Sequence, residues 1–336
     1  EINKSPVPDF VYTDRDELVG MYRTNPAFLP DFNVELLRHT NYIGNNYLVR
    51  VQVLREIGTL NDNLDHASEY ELLLRAIEKK CQVAHIPKLL YHIRVFSNMT
   101  SPAGGRIASG QVYREHVTVA SAHLRRMDFG AKVTPDRSGE YWRVHYDGSR
   151  AKNHKGEFVI VKEKGVTVRQ KYYAERMYGI LRQKDVGIVG ARFESGPLTI
   201  DNCGYIFDDK GRTYPACHGQ PQVAKSYLNR AILPCDVSMV DPAFFMIDKK
   251  VFDKVGGFNR KLKGRALMLD LCMRVRDVNR RIVFDPGVVA KKTGESVNEL
   301  EEDSDLVMSI WENEIKKGDP FYNKNLPMGD QNYLLY

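Results

Sequence analysis

No run of roughly 18 apolar residues occurs in this 336-residue chain, so nothing in it reads as a membrane-spanning helix. A charged-then-apolar leader is also missing. Its cysteines are few: Cys81, Cys203, Cys217, Cys235 and Cys272, none in CxxC spacing. That argues against structural zinc and leaves reduced, cytosolic thiols as the expectation. Lysine and arginine outnumber aspartate and glutamate by 49 to 43, a net charge of +6, but no dense basic run exists. A nucleic-acid tail is therefore not expected; such binding would betray itself by steep salt dependence. The patterns G-x-x-x-x-G-K-[ST], G-x-G-x-x-G and G-x-S-x-G are absent, so P-loop, dinucleotide and hydrolase chemistries have no support.

What is present is length enough for two domains and one motif written twice. The first copy runs from Leu54 to Arg94 and the second from Phe252 to Lys292. Gly58 faces Gly256; after one inserted residue Glu71 faces Asp270, Arg75 faces Arg274 and Pro87 faces Pro286. Polar positions differ: Glu69 faces Met268, and His92 faces Lys291. A kept hydrophobic frame with changed polar chemistry predicts two halves of one fold with different activities. Both Glu71–Arg75 and Asp270–Arg274 are i,i+4 pairs and read as structural.

Strands alternating with helices indicate an α/β protein. Pro8–Thr13 reads as a strand entering an acidic turn, Asp14-Arg15-Asp16-Glu17. Pro26–Asn33 reads as irregular, Asn41–Val53 as strand and Gln52–Ile57 as a helix stopped by Gly58. Ser68 is the expected N-cap of a helix over Glu69–Lys80, with Glu69 and Glu71 in the first turn. Val83–Ile86 and Leu89–Val95 read as two strands separated by Pro87. A polar loop is expected over Ser97–Gly110 and a helix over Gln111–Phe129. Ala131–Lys155 reads as a junction. Phe158–Val161 and Val186–Phe193 read as buried strands, Thr167–Gln183 and Val297–Lys317 as helices. A hairpin and loop are expected over Thr199–Gln222.

The ordered series DFVYTDRDELVG, PDFNVELLRHTNYIGNNYLVR, SEYELLLR and HIPKLLYHIR resembles the later half of a family 2 glycosyltransferase domain. The likeness is to bacterial tandem enzymes of O-antigen or other surface-polysaccharide assembly. VGIVGARF, FMIDKKVFDKVGGF, LDLCMRVRD and DPFYNKNL are similar to the next domain of such proteins. The resemblance implies two partial GT-A-like units with mixed sheets and flanking helices. Residues 1–130 would be the later half of a first domain, and 131–336 a second, degenerate one. It also implies transfer of a sugar from a nucleoside-diphosphate donor to a glycan hydroxyl, with Mn²⁺ or Mg²⁺. The place would be the cytoplasm, at the inner face of the plasma membrane. The alternative is an inactive pseudo-glycosyltransferase that binds glycan or a partner subunit.

The nucleotide-binding half of the first domain would have to precede Glu1. In the second, a long stretch expected between Trp142 and Phe158 is missing, and Lys162-Glu163-Lys164-Gly165 stands where an Asp-containing turn is usual. A lysine pair there repels a cation. An incomplete sheet leaves an edge and an apolar face to cover, which predicts a longer chain, packing of the halves or a homodimer.

By the resemblance, Glu69 is the catalytic base, where the family usually has Asp; the residue-level alternative is an acid stabilising the helix dipole. His92 stands where relatives use a metal ligand, or is a strand histidine with a protein partner. Arg94 could contact diphosphate, or pair with an acid. Asp14 and Asp16 spell D-x-D, which on a turn can hold a divalent cation or be merely solvated.

Overall fold

The acidic run after Phe10 does not turn; it continues as strand. The computed structural model describes residues 6–95, 110–293, 304–329 and 333. By its internal contacts the chain divides into two units, Glu1–His145 and Tyr146–Tyr336. The loop expected over Ser97–Gly110, up to residue 109, and the start of the helix expected from Val297 lie outside the described residues.

In the first unit the elements are β1 (Phe10–Val19), β2 (Tyr22–Ala27), α1 (Val34–His39), β3 (Tyr47–Val49), α2 (Val51–Ile57), α3 (Ser68–Glu78), β4 (Val83–Val95), α4 (Gly110–Arg126) and a β5–β6 hairpin (Ala131–Pro135, Trp142–Tyr146). One edge of β1 pairs antiparallel with β3 (Tyr12 against Tyr47) and further on with β2 (Glu17 against Thr24). Its other edge runs parallel to β4. Charge does not stop β1 because each charged side chain is met. Arg15 donates to the carbonyls of Tyr42 and Ile43 at 2.9 Å, and Glu17 accepts from Asn25 at 2.6 Å. Buried polar groups are tolerated when bonded in this way.

The two strands expected around Pro87 are one. Proline has no N–H to give the ladder, so the pairing slips there. Ile86 pairs with Thr13, but His92 pairs with Asp16, and register shifts lie on both sides of Asp14.

Helix α3 buries Tyr70, Leu72, Leu73, Leu74 and Ala76, each worth about 1.5–3 kcal/mol for the larger apolar side chains. Ser68 is not its N-cap. Ala67 holds that position without a side-chain bond, and Ser68 donates to Glu69 at 3.2 Å. The amides leading into the helix are taken by Glu115 of α4, from Asp65 at 3.2 Å and His66 at 2.6 Å. Trp142 is fully buried, donates to the Arg38 carbonyl at 2.6 Å and lies 5.5 Å from the Tyr70 ring. The stretch read as a junction thus supplies core to this unit.

The second unit contains β7 (Phe158–Lys162), β8 (Val166–Val168), α5 (Tyr173–Leu181), β9 (Val186–Ser195), β10 (Thr199–Asn202), a β11–β12 hairpin (Tyr205–Phe207, Thr213–Pro215), β13 (Cys235–Asp236), β14 (Phe244–Asp248), α6 (Lys249–Lys254), α7 (Gly264–Asp277), β15 (Arg281–Lys292) and α8 (Ser304–Ile315). The sheet order is β13-β15-β9-β14-β7, with β9 and β15 parallel and the other pairs antiparallel. A strand, not a helix, occupies Val166–Val168, so the helix expected from Thr167 begins at Tyr173. Strand β14 is buried on both faces through Phe244, Phe245, Met246 and Ile247. The protein is a mixed α/β fold with mixed sheets and flanking helices.

The duplicated motif is visible as a duplicated clamp. Arg75 of α3 bonds Glu71 at 2.7 Å and reaches back to the carbonyls of Ile57 and Thr59, both at 2.5 Å. Arg274 of α7 bonds Asp270 and the carbonyls of Val255 and Gly257 at 2.5 and 2.7 Å. Each arginine ties its helix to the turn that ends the preceding helix. Gly58, at φ +91°, is required there: a Cβ would stand 2.7 Å from Arg75 Nη1. Arg75→Met is expected to lower stability by about 1–3 kcal/mol, because two carbonyls and a carboxylate lose their donor. Arg274→Met should match it. Urea unfolding checks both, and a loss under 0.5 kcal/mol would show the clamp to be incidental.

Candidate functional site

The chemistry-bearing groups of the first unit gather along β1 and β4. Residues Asp14 and Asp16 are two apart and so share a face of β1. Asp14 is fully buried; its Oδ1 accepts from the Leu29 amide at 2.8 Å and faces His85 Nε2 at 2.9 Å. His85 Nδ1 faces Asp31 at 3.1 Å, and the ring stacks on Tyr12 at 4.7 Å. With a carboxylate on each nitrogen, both nitrogens must donate, so His85 is an imidazolium. Burial works against that charge, but the bonds to Asp14 and Asp31 outweigh it and raise the His85 pKa above its usual value.

A stability consequence follows from the sign of that shift. A raised folded-state pKa contributes stability that is complete below the unfolded value near 6.5 and is lost as pH rises through the folded value. Melting temperature should therefore fall as pH is raised above about 6.5. His85→Gln should remove that slope while lowering stability at pH 6. Calorimetric scans from pH 6 to 9 would sink the assignment if the two proteins gave parallel curves.

Asp16 is 3% exposed and fully engaged: Oδ2 accepts from Arg23 Nε at 2.6 Å and Oδ1 from His92 Nδ1 at 2.5 Å. Burial opposes its ionisation, yet the bonds from His92 and Arg23 prevail and hold its pKa below the usual value. His92 is the open member of the pair, with its side chain 41% exposed. Nδ1 faces Asp16, so Nε2 is the open nitrogen, and it has no protein partner among the described residues. A carboxylate behind a histidine whose other nitrogen is open is the arrangement that orients metal-ligating histidines. Arg94 stands exposed two residues on, level with Leu18.

As direct ligands of a divalent cation, the two aspartates fit poorly. An imidazolium and a guanidinium already hold the oxygens a cation would need. Among the described residues no group of three or more His, Cys, Asp or Glu side chains converges as a metal site. Of Asp14, Asp16 and His92, the histidine keeps an open ring nitrogen, Nε2.

Glu69 is half-buried at the first turn of α3. Its backbone carbonyl accepts from the Tyr47 hydroxyl at 3.1 Å, and Tyr47 pairs with Tyr12 of β1. That tether fixes the helix start beside the sheet. No bond joins Glu69 to Asp16, His92 or Arg94. His85 and Asp31 were not singled out from sequence; the signal available was the histidine of HIPK, the third residue of a strand.

At the equivalent place in the second unit the chemistry is inverted. Glu194 of β9, fully buried in its side chain, is met by Arg192 at 2.7 Å, Arg169 at 2.5 Å and Lys291 of β15 at 3.7 Å. Lys291 is the repeat counterpart of His92. Three cations around one carboxylate leave no room for a metal ion. Lys292 also ties Glu163, of the KEKG turn, at 2.6 Å.

No family model matches the chain. The O-antigen biosynthesis protein RfbC of Myxococcus xanthus is 33% identical over 137 residues, which is 40% of this chain and 10% of that protein. Part of this chain is thus related to part of a protein of O-antigen biosynthesis. An uncharacterized protein, y4gI, of Sinorhizobium fredii is 24% identical over 429 residues, covering 99% of this chain and 47% of that protein. The alignment is longer than the chain, so that relative carries inserted sequence that this chain lacks. The chain spans about half the length of one curated relative and a tenth of the other. A crystal structure of GalNAc-T7 with UDP, GalNAc and Mn²⁺ aligns with a TM-score of 0.35 at 10% identity, over 50% of this chain and 36% of that one. Among the described residues no helix is long and apolar enough to cross a membrane.

Proposed function

We propose that the first unit belongs to a glycosyltransferase of bacterial surface-polysaccharide synthesis, working in the cytoplasm at the inner face of the plasma membrane. It would move a sugar from a nucleoside-diphosphate donor to a glycan hydroxyl. What carries this reading is the Asp16–His92 pair with its open Nε2, two residues from the exposed Arg94. The relative in O-antigen biosynthesis supports the pathway class. In this reading His92 holds Mn²⁺ or Mg²⁺ and Asp16 orients the ring. Asp14 stands behind as a partner of His85. Arg94 meets the diphosphate, since a guanidinium matches phosphate geometry. A bound cation would neutralise the leaving diphosphate. Glu69 takes the proton of the acceptor hydroxyl. The first unit would be the later part of a first GT-A-like domain and the second unit a second one, with the division after His145 rather than at residue 130.

Titrating the chain with UDP and other nucleoside diphosphates, with and without Mn²⁺, tests the proposal. Binding that requires Mn²⁺ and is lost in His92→Ala is the expected result. Binding unaffected by that substitution would remove the first unit from the donor site. A second reading is favoured for the second unit alone by the Glu194–Lys291 arrangement. There the glycosyltransferase-like half would be inactive, serving to hold glycan or a partner subunit.

A further inference from the structure

A pocket of about 490 Å³ opens in the second unit, at the end of the sheet where β9 and β15 begin. Glu194 lies eight residues along β9 from Val186 in its wall, about 26 Å at roughly 3.3 Å per residue. The pocket is therefore separate from the repeat-equivalent position at Glu194 and Lys291. Three connections build it. Lys184 comes from the α5–β9 turn, Arg280 from the turn before β15, and Arg150 with His154 from a short 3₁₀ helix, Ser149–His154.

Its charges do not cancel. The two carboxylates in the wall are already used. Glu157 accepts from His154 Nδ1 at 2.8 Å and from the Tyr178 hydroxyl at 2.9 Å. Asp248 caps α6 by accepting from the Val251 amide at 2.8 Å. Arg182 gives a bond to the Asp147 carbonyl at 3.0 Å. Arg150, Lys184 and Arg280, by contrast, form no ion pair among the described residues. Four Arg and Lys side chains line the concavity against two carboxylates, and an anion from solution would offset that excess of positive charge. Beside them, the His154 ring stacks on Tyr178 with centroids 5.8 Å apart and planes 19° from parallel. This gives the pocket a flat wall next to its positive rim.

We propose that this pocket binds a small phosphorylated sugar. Its phosphate sits among Arg150, Lys184 and Arg280, and its ring lies against His154. The volume is within the usual range for small-molecule sites. Guanidinium groups suit phosphate oxygens, and the arrangement asks for no metal ion. This goes beyond the donor reading of the first unit and does not depend on it.

The test is titration of the full chain with glucose 1-phosphate and with inorganic pyrophosphate, without divalent cation. Saturable one-to-one binding of both is expected. Lys184→Gln with Arg280→Gln should weaken both by about tenfold at an unchanged melting temperature, since one exposed and one half-buried charge contact are removed and neither forms an ion pair in the protein. His154→Ala should weaken glucose 1-phosphate but leave pyrophosphate unchanged. His92→Ala should change neither, which separates failure here from failure of the donor reading. No saturable binding, full affinity in the double variant, or equal displacement by sulfate would each overturn the proposal.

Discussion

Arg176→Ala is expected to destabilise the second unit by about 3–5 kcal/mol, because it strands a buried carboxylate. Asp285 is fully buried and receives Arg176 through two bonds, at 2.6 and 2.8 Å, together with the Gly287 amide at 2.9 Å. Its charge raises the Arg176 pKa further. The guanidinium lies flat on Gly287, where a Cβ would come within 2.1 Å of Cζ. Gly287→Ala should therefore reproduce much of the loss by steric means. Arg176→Met combined with Asp285→Asn should recover part of it, since neutral asparagine still accepts from Gly287 without a stranded charge. Urea unfolding monitored on the second unit decides the matter. A single-variant loss below about 1 kcal/mol would mean that solvent reaches Asp285 and replaces the arginine.

Glu69→Gln is expected to lower sugar transfer by about 10²–10⁴-fold while leaving donor affinity unchanged, as removal of a general base should. The measurement is nucleoside-diphosphate release from whichever nucleotide sugar the titration selects. Glutamine keeps the size of the side chain and its bond from Ser68, so helix α3 should remain intact. Glu69→Asp is the informative companion. A shorter reach that restores or raises turnover would support direct contact with the acceptor hydroxyl. Equal turnover in all three proteins would leave Glu69 as an acid on a helix dipole and nothing more.

Sequence was most legible where local pattern and packing agree. Helix α3, the stop at Gly58 and the paired Arg75 and Arg274 could be read because each depends on neighbours within about one or two turns of chain. The strand nature of Asp14–Glu17 could not. A run of four charged residues looks solvated until its partners are known, and those come from Arg23, Asn25, Tyr42, His85 and His92. The start of α3 failed for the same reason: Ser68 is the local candidate for a cap, but Glu115, far along the chain, takes the amides. Within the candidate site, His92 and Asp16 were both identifiable by spelling. Their division of labour was not, because only the register of β1 on β4 shows that the aspartate stands behind the histidine.

The slip after Pro87 sets the phase of everything that follows it. Partners differ by 73 positions at Ile86–Thr13 and by 76 at His92–Asp16; in the second unit they differ by 94 at Asp285–Ala191 and by 97 at Val289–Arg192. Both strands thus gain three positions across the same proline, an odd number. In a structure where faces alternate residue by residue, an odd step exchanges inside for outside. The proline works as a half-turn in the wiring, so that a strand carrying its apolar side chains inward at its start delivers a polar group to a chosen spot at its end. A single residue lost between Pro87 and His92 would present Ile93 to Asp16 instead. The interval after the proline, more than the identity of any one residue within it, therefore decides which chemistry each half displays.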